Sequence, residues 1–200
     1  MRIPTRIEAE ELVRRAEERN PGLWGDHCRV AAECARRIAE KCEGMDPEAA
    51  YILGLLHDIG RHFGINHLKH VWDGYQYMTE LGYEDAARIC LTHSFQYQNL
   101  GAYSGNIDVP EDIRTQLEDK LMSITYDDYD RLIQLCDCLA MASGVILIEK
   151  RIVDVTIRYG FAKYTIDKWK AIFELKDYFE RKTGINIYEL VTEDKTLWGK

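Results

Sequence analysis

What this 200-residue sequence lacks narrows its class before any motif is considered. No apolar run approaches the ~18–20 residues that a membrane-spanning helix needs, so no membrane partner is expected. The opening residues Met1-Arg2-Ile3-Pro4-Thr5-Arg6 are basic but lead into Glu8, Glu10 and Glu11 instead of an apolar stretch. No signal peptide is read there, and a cytoplasmic protein is expected. No CxxC pair occurs among the six cysteines (Cys28, Cys34, Cys42, Cys90, Cys136, Cys138), and Cys136-x-Cys138 is not a usual zinc spacing. Cys34, Cys90 and Cys136 fall inside helical patterns, so the set is read as reduced, structural thiols. An excess of positive charge is missing too, with 26 Lys+Arg against 34 Asp+Glu and a net charge of −8. Binding to duplex nucleic acid, which needs a basic field to displace counterions, is therefore not expected. A small phosphorylated ligand stays open, because metal ions and one or two local cations can reverse the potential inside a pocket. Repeats, low-complexity tracts and Pro/Gly/Ser-rich linkers are also absent, so residues 1–200 are read as one domain.

What is present is helical patterning, enough for an all-α bundle of about eight to nine helices. Thr5-x-x-Glu8 is a capping box that opens a helix to about Asn20, where Pro21-Gly22 stops it. A second helix is read from about Asp26 to Glu43, ending at Gly44. Asp46-Pro47 opens a third through about His62, with an N-cap followed by proline at the first helical position. Further helices are read at about His67–Leu81, Glu84–His93, Asp108–Met122, Leu132–Ser143 behind an Asp127/Asp128 cap, Ile146–Tyr159 and Thr165–Thr183. Val153, Val155 and Ile157 offer a weak strand alternative. Residues 95–109, rich in Gly, Ser, Asn and Tyr, read as a long loop of the kind that often serves as a lid.

The informative feature is polar residues on apolar faces. His27 shares a face with Val30, Ala31, Cys34 and Ile38, and His57 follows Ala50, Leu53 and Gly54. His93 continues the stripe of Ala86, Ile89 and Cys90, and Asp137 lies with Ile133, Ala140 and Met141. One histidine on such a stripe is ordinarily a hydrogen-bonded core residue. A buried unpaired aspartate costs several kcal/mol, so several such residues converging on a metal cation would compensate all of them at once. Adjacent helical residues stand ~100° apart, so His57 and Asp58 can share one ion only near a helix end, and Gly60 and Gly64 mark such an end.

His27, the run Gly54-Leu55-Leu56-His57-Asp58-Ile59-Gly60, and Asp137 within Leu135-Cys136-Asp137-Cys138-Leu139-Ala140 resemble the HD-domain superfamily of metal-dependent phosphohydrolases. The likeness covers about residues 25–145 and implies an HD-domain-like helical bundle; the part after residue 145 matches no motif, and its helices are expected to complete the core or build one wall of the pocket. The likeness also implies His27, His57, Asp58 and Asp137 as metal ligands. His70-Val71-Trp72-Asp73-Gly74 and Leu91-Thr92-His93-Ser94 are similar to segments of a dinuclear subgroup that includes symmetrical diadenosine tetraphosphate hydrolases. That likeness implies a second ion held by His70 and His93, with Asp58 bridging. His62 and His67 are extra to the pattern and are read as solvent-exposed or supporting histidines.

The function expected from this is hydrolysis of a small phosphorylated substrate, a nucleotide or dinucleoside polyphosphate, by metal-activated hydroxide. The ligand set suits one or two iron, manganese or zinc ions, since magnesium prefers nearly all-oxygen ligands. Arg61 and Lys69 are the candidate cations for the phosphoryl oxygens, and Tyr97 and Tyr103, with Gln98 and Asn99, for contacts to a sugar or base. Tyr159, Phe161, Trp169, Phe173 and Phe179 are read as packing. A homodimer is compatible with the sequence. The competing readings are a di-iron oxygenase on the same ligands, a metal- or nucleotide-binding regulatory module, and a helical interaction protein with scattered core histidines.

Overall fold

A computed structural model describes residues 1–194. Among them the chain forms α1 (Arg6–Arg19), α2 (Trp24–Ala39), α3 (Pro47–Leu56), α4 (Lys69–Glu80), α5 (Glu84–Thr92), α6 (Glu111–Ser123), α7 (Asp128–Leu139), α8 (Ile148–Tyr159), α9 (Thr165–Thr183) and α10 (Ile187–Val191). A two-stranded antiparallel hairpin, β1 (Ala140–Met141) and β2 (Gly144–Val145), joins α7 to α8, with Ala140 opposite Val145 and Met141 opposite Gly144. The all-α bundle is as expected, with the short α10 added. No helix among the described residues is long and apolar enough to cross a membrane.

The centre of the bundle is α3, whose last eight residues, Ala49 to Leu56, are all buried. It packs most extensively on α2, and the contact is close because Gly54 lacks a side chain: a Cβ there would fall 2.8 Å from Ala32 Cα. Around this pair, α1, α5, α7, α8, α9 and α10 contribute to the main core. A smaller core gathers Leu68, Val71 and Trp72 with Leu91, Phe95, Leu100, Leu117 and Leu121.

That second core anchors the segment expected as a free loop. Phe95, Leu100 and Ala102 are buried, and a 3-10 turn forms at Leu100–Ala102. Farther along, the Asp108 carboxylate accepts from the backbone N–H groups of His67 (2.7 Å) and Lys69 (2.8 Å), supplying the helix cap that α4 lacks in its own sequence.

Two expectations change, and one alternative is ruled out. The third helix stops at Leu56, not His62, and a separate 3-10 turn spans Ile59–Phe63. Its Gly60 lies against α4, where a Cβ would meet His70 O at 1.9 Å, so backbone-to-backbone packing sets the break. The seventh helix ends at Leu139 and the chain turns into the hairpin, aided by Gly144 at φ 124°. Val153, Val155 and Ile157 lie in α8, not a strand: Ile148 and Ile152, four apart, form its buried stripe, and helical periodicity outweighs the β-branched composition. The six cysteines are free thiols and all buried.

Candidate metal centre

Six side chains from five segments meet at one end of α3. His27 projects from the first turns of α2, and Asp137 from the last turn of α7. His57 caps the C-terminus of α3, and Asp58 has already left helical geometry at φ −105°, ψ 16°. The chain thus turns both side chains of the dipeptide toward one region, as the helix-end argument requires. His70 stands in the first turn of α4, and His93 caps α5.

The ring nitrogens and carboxylate oxygens fall into two overlapping groups, His27–His57–Asp58 and Asp58–His70–His93, with the atoms of each within 4.8 Å of one another. Asp137 adjoins the first: His27 Nε2 lies 3.1 Å from both His57 Nε2 and Asp137 Oδ1, and His57 Nε2 lies 3.9 Å from the same oxygen. In the second, Asp58 Oδ1 lies 2.9 Å from His70 Nε2 and 3.4 Å from His93 Nε2, and the two nitrogens stand 3.3 Å apart. Asp58 belongs to both.

The other nitrogen of each ring decides what this cluster needs. His27 Nδ1 bonds to Ala140 O (3.2 Å), His57 Nδ1 to Gly54 O (2.7 Å), His93 Nδ1 to Cys90 O (2.9 Å), and His70 Nδ1 to His67 O. A carbonyl oxygen only accepts, so every Nδ1 carries the proton. Every Nε2 of a neutral ring then presents a bare lone pair to another lone pair or to a carboxylate. Without a cation these contacts are repulsive. For two of the rings protonation is resisted by the surroundings: burial, against the pull of Asp58, brings the His57 pKa down to about 4, and burial lowers that of His70 as well. The donor set therefore fits a divalent transition metal, with backbone carbonyls fixing each tautomer.

Both carboxylates are held ionised. Burial raises the Asp58 pKa, but its charged surroundings, the Arg61 guanidinium first, outweigh it and hold the group well below the usual carboxylate range. Asp137 likewise lies well below the usual carboxylate range against its burial, with Arg151 as the permanent cation near it. Arg61 Nε donates to Asp58 Oδ2 at 2.7 Å and its Nη1 to Asn66 O at 3.1 Å, so the guanidinium also orients the shared carboxylate.

The cluster opens into a cavity of about 470 Å3, within the range of small-molecule sites. Of the residues expected to meet substrate, Arg61 and Tyr103 line this cavity. Lys69 and Tyr97 are not brought to it. Lys69 pairs with Asp73 at 2.6 Å, one turn along α4, and Tyr97 packs on Tyr164 with 5.4 Å between ring centroids. His67 lines the cavity and gives its carbonyl to His70, whereas His62 stacks on Tyr77 and meets Arg19 away from it. Phe179 is fully buried and Phe173 packs against the main core as expected; Trp169 packs there and also lines the cavity, Tyr159 lines the cavity, and Phe161 is exposed, contrary to the packing role expected of it.

The sequence reading missed most of the cavity's positive charge. Four cationic side chains line it, Arg61, Arg151, Arg158 and Lys168, against the carboxylates of Asp58 and Asp137. Three of the four come from α8 and α9, so a protein of net charge −8 builds a locally cationic pocket. Their only sequence signal was an Arg at every seventh residue of an amphipathic helix (151, 158), which reads equally as a solvated face.

Compared with known protein families, the chain matches the HD domain over residues 24–142, more than half its length. Searches of curated proteins and of solved structures gave no match. The matched segment begins with α2, ends just past Asp137 and takes in every member of the centre, and the chain belongs to the HD domain family.

Proposed function

We propose that the chain is a metal-dependent phosphohydrolase with a two-ion centre, acting on a small phosphorylated substrate of the nucleotide or dinucleoside polyphosphate type. In this reading His27, His57, Asp58 and Asp137 hold one cation, and His70 and His93 hold the second with Asp58 shared. The observation that carries it is the set of four Nε2 lone pairs crowded onto two ionised carboxylates, each ring fixed by a backbone carbonyl. The membership in the HD domain family supports the class of reaction, and the locally cationic cavity supports an anionic substrate.

Iron, manganese or zinc at this centre would supply the Lewis acidity that makes water a nucleophile near neutral pH. The chain's own part is positional. Arg61 orients Asp58, Ala140 O and Gly54 O hold the rings of His27 and His57, and Trp24, Tyr103 and Trp169 wall off bulk water. Arg61 also places positive charge beside the position a phosphoryl group would take.

The test is elemental analysis of the purified chain, combined with a turnover screen on p-nitrophenyl phosphates, nucleotides and dinucleoside polyphosphates. One or two transition metals per chain and metal-dependent release of phosphate or nucleotide are expected. A chain that stays metal-free when grown with iron, manganese and zinc, and turns over none of these, overturns the reading.

A further inference from the structure

We propose that Lys168 and Arg151, both outside the segment matched to the HD domain, form the wall that receives the non-bridging oxygens of the substrate's phosphate. The inference rests on the phosphohydrolase reading and names residues for the substrate side of the same site.

Other cations of this chain are met by carboxylates. Arg61 is met by Asp58 at 2.7 Å, Lys69 by Asp73 at 2.6 Å and Arg158 by Asp154 at 2.7 Å. Lys168 and Arg151 depart from this habit. The Lys168 ammonium donates to Ser94 O at 3.1 Å and Ser104 Oγ at 3.3 Å, and among the described residues no carboxylate lies within 4.0 Å of it. Ser94 directly follows His93, so this ammonium borders the metal centre. Arg151 sends Nη1 to the Met141 sulfur at 3.2 Å, a weak acceptor, and its Nη2 stands 4.0 Å from Asp137 Oδ1, beyond hydrogen-bond reach.

Lys168 thus faces the cavity with no carboxylate in contact among the described residues, and Arg151 faces it with only the long 4.0 Å approach to Asp137. Holding positive charge away from water is unfavourable unless an anion meets it, and the surroundings of Lys168 do lower its pKa, chiefly through desolvation. The bland explanation is that both merely offset Asp137. In the reading above, that carboxylate is already met by a metal cation shared with His27 and His57. With the metals in place the two side chains would be surplus positive charge, which a phosphate dianion neutralises. An ammonium supplying a point charge and a guanidinium supplying a planar fork are the two donor types that recognise phosphate oxygens.

The probe is inorganic phosphate, titrated calorimetrically into the metal-loaded full chain, with metal content measured on every sample. Wild type is expected to bind phosphate, and Lys168→Met and Arg151→Met each to weaken it at least tenfold at unchanged metal content. Lys168→Arg should recover most of the affinity, and Lys168→Gln, closer in polarity, repeats the test should the Met variant misfold. Phosphate affinity within twofold of wild type in the Met or Gln variant and in Arg151→Met, at wild-type metal content, overturns the inference and leaves the phosphohydrolase reading standing. Loss of metal together with phosphate binding would also overturn it, because the side chains would then be serving the centre and not the ligand.

Discussion

Arg61 Nε donates to Asp58 Oδ2 at 2.7 Å, while the other oxygen of that carboxylate lies 2.9 Å from His70 Nε2. One side chain therefore sets the angle at which Asp58 faces both histidine groups. Arg61→Gln is expected to lower metal affinity by about 10–100-fold, the usual cost of removing a group that orients a ligand. A competition titration against a chelator of known affinity measures it. Unchanged affinity would show that Asp58 needs no orienting partner.

Asp58→Ala removes the one carboxylate common to both groups of potential ligands. Metal content should fall sharply and metal-dependent turnover should disappear. Retention of both by a folded variant would remove the proposed centre altogether.

The histidines give the metal-free protein a defined acid response. His57 has a pKa of about 4, lowered mainly by burial, against ~6.5 in an unfolded chain. Below pH ~6.5 the unfolded state takes up this proton while the folded state refuses it until about pH 4. Stability is thus fully present above the upper limit and falls as pH drops through the window. The slope is ~1.4 kcal/mol per pH unit for one such group, roughly 3 kcal/mol in all for His57. His70 shifts the same way and adds to the loss. Urea unfolding of chelator-treated protein at pH 7.5, 6.0, 5.0 and 4.5 reads this directly, and a flat profile would contradict it. Metal occupancy should fall in the same direction, since protons compete for the same lone pairs.

Gly60→Ala tests the packing that brings Asp58 to His70. The added Cβ would meet His70 O at 1.9 Å and Gly74 N at 2.6 Å, both backbone atoms that cannot swing aside. The cost should exceed the ~1–3 kcal/mol of ordinary overpacking and lower Tm by at least ~5 °C in a chain this size. Metal affinity should fall with it. Gly22→Ala, whose Cβ would meet only Trp24 Cδ1 at 3.4 Å, is the control expected to change neither.

Much of this arrangement was legible from residue spacing, for a physical reason. His27, His57, His93 and Asp137 each interrupt an apolar stripe at helical intervals, and helix faces that pack together carry such interruptions to one place. The hairpin after Leu139 was not legible, because Ala140 and Met141 continue the apolar pattern of α7 without a break. Lys69 illustrates a different failure. Its neighbour His70 points at Asp58, but one residue along a helix is a rotation of ~100°, which delivers Lys69 to Asp73 instead. Lys168 and Arg151 were invisible for the opposite reason: charges on amphipathic helices ordinarily face solvent, and only the packing of α8 and α9 over the cavity turns these inward.

The contrast between a net charge of −8 and a cationic cavity has a kinetic consequence for any phosphorylated ligand. At a distance the ligand meets like charge, and the attraction of the cationic lining acts at short range. Dissolved salt, whose screening reaches ~8 Å at physiological strength, would damp the outer repulsion while leaving the interior pull nearly intact. Encounter should then quicken as ionic strength rises toward that level, the reverse of the electrostatic steering that speeds ligands to sites of matching field.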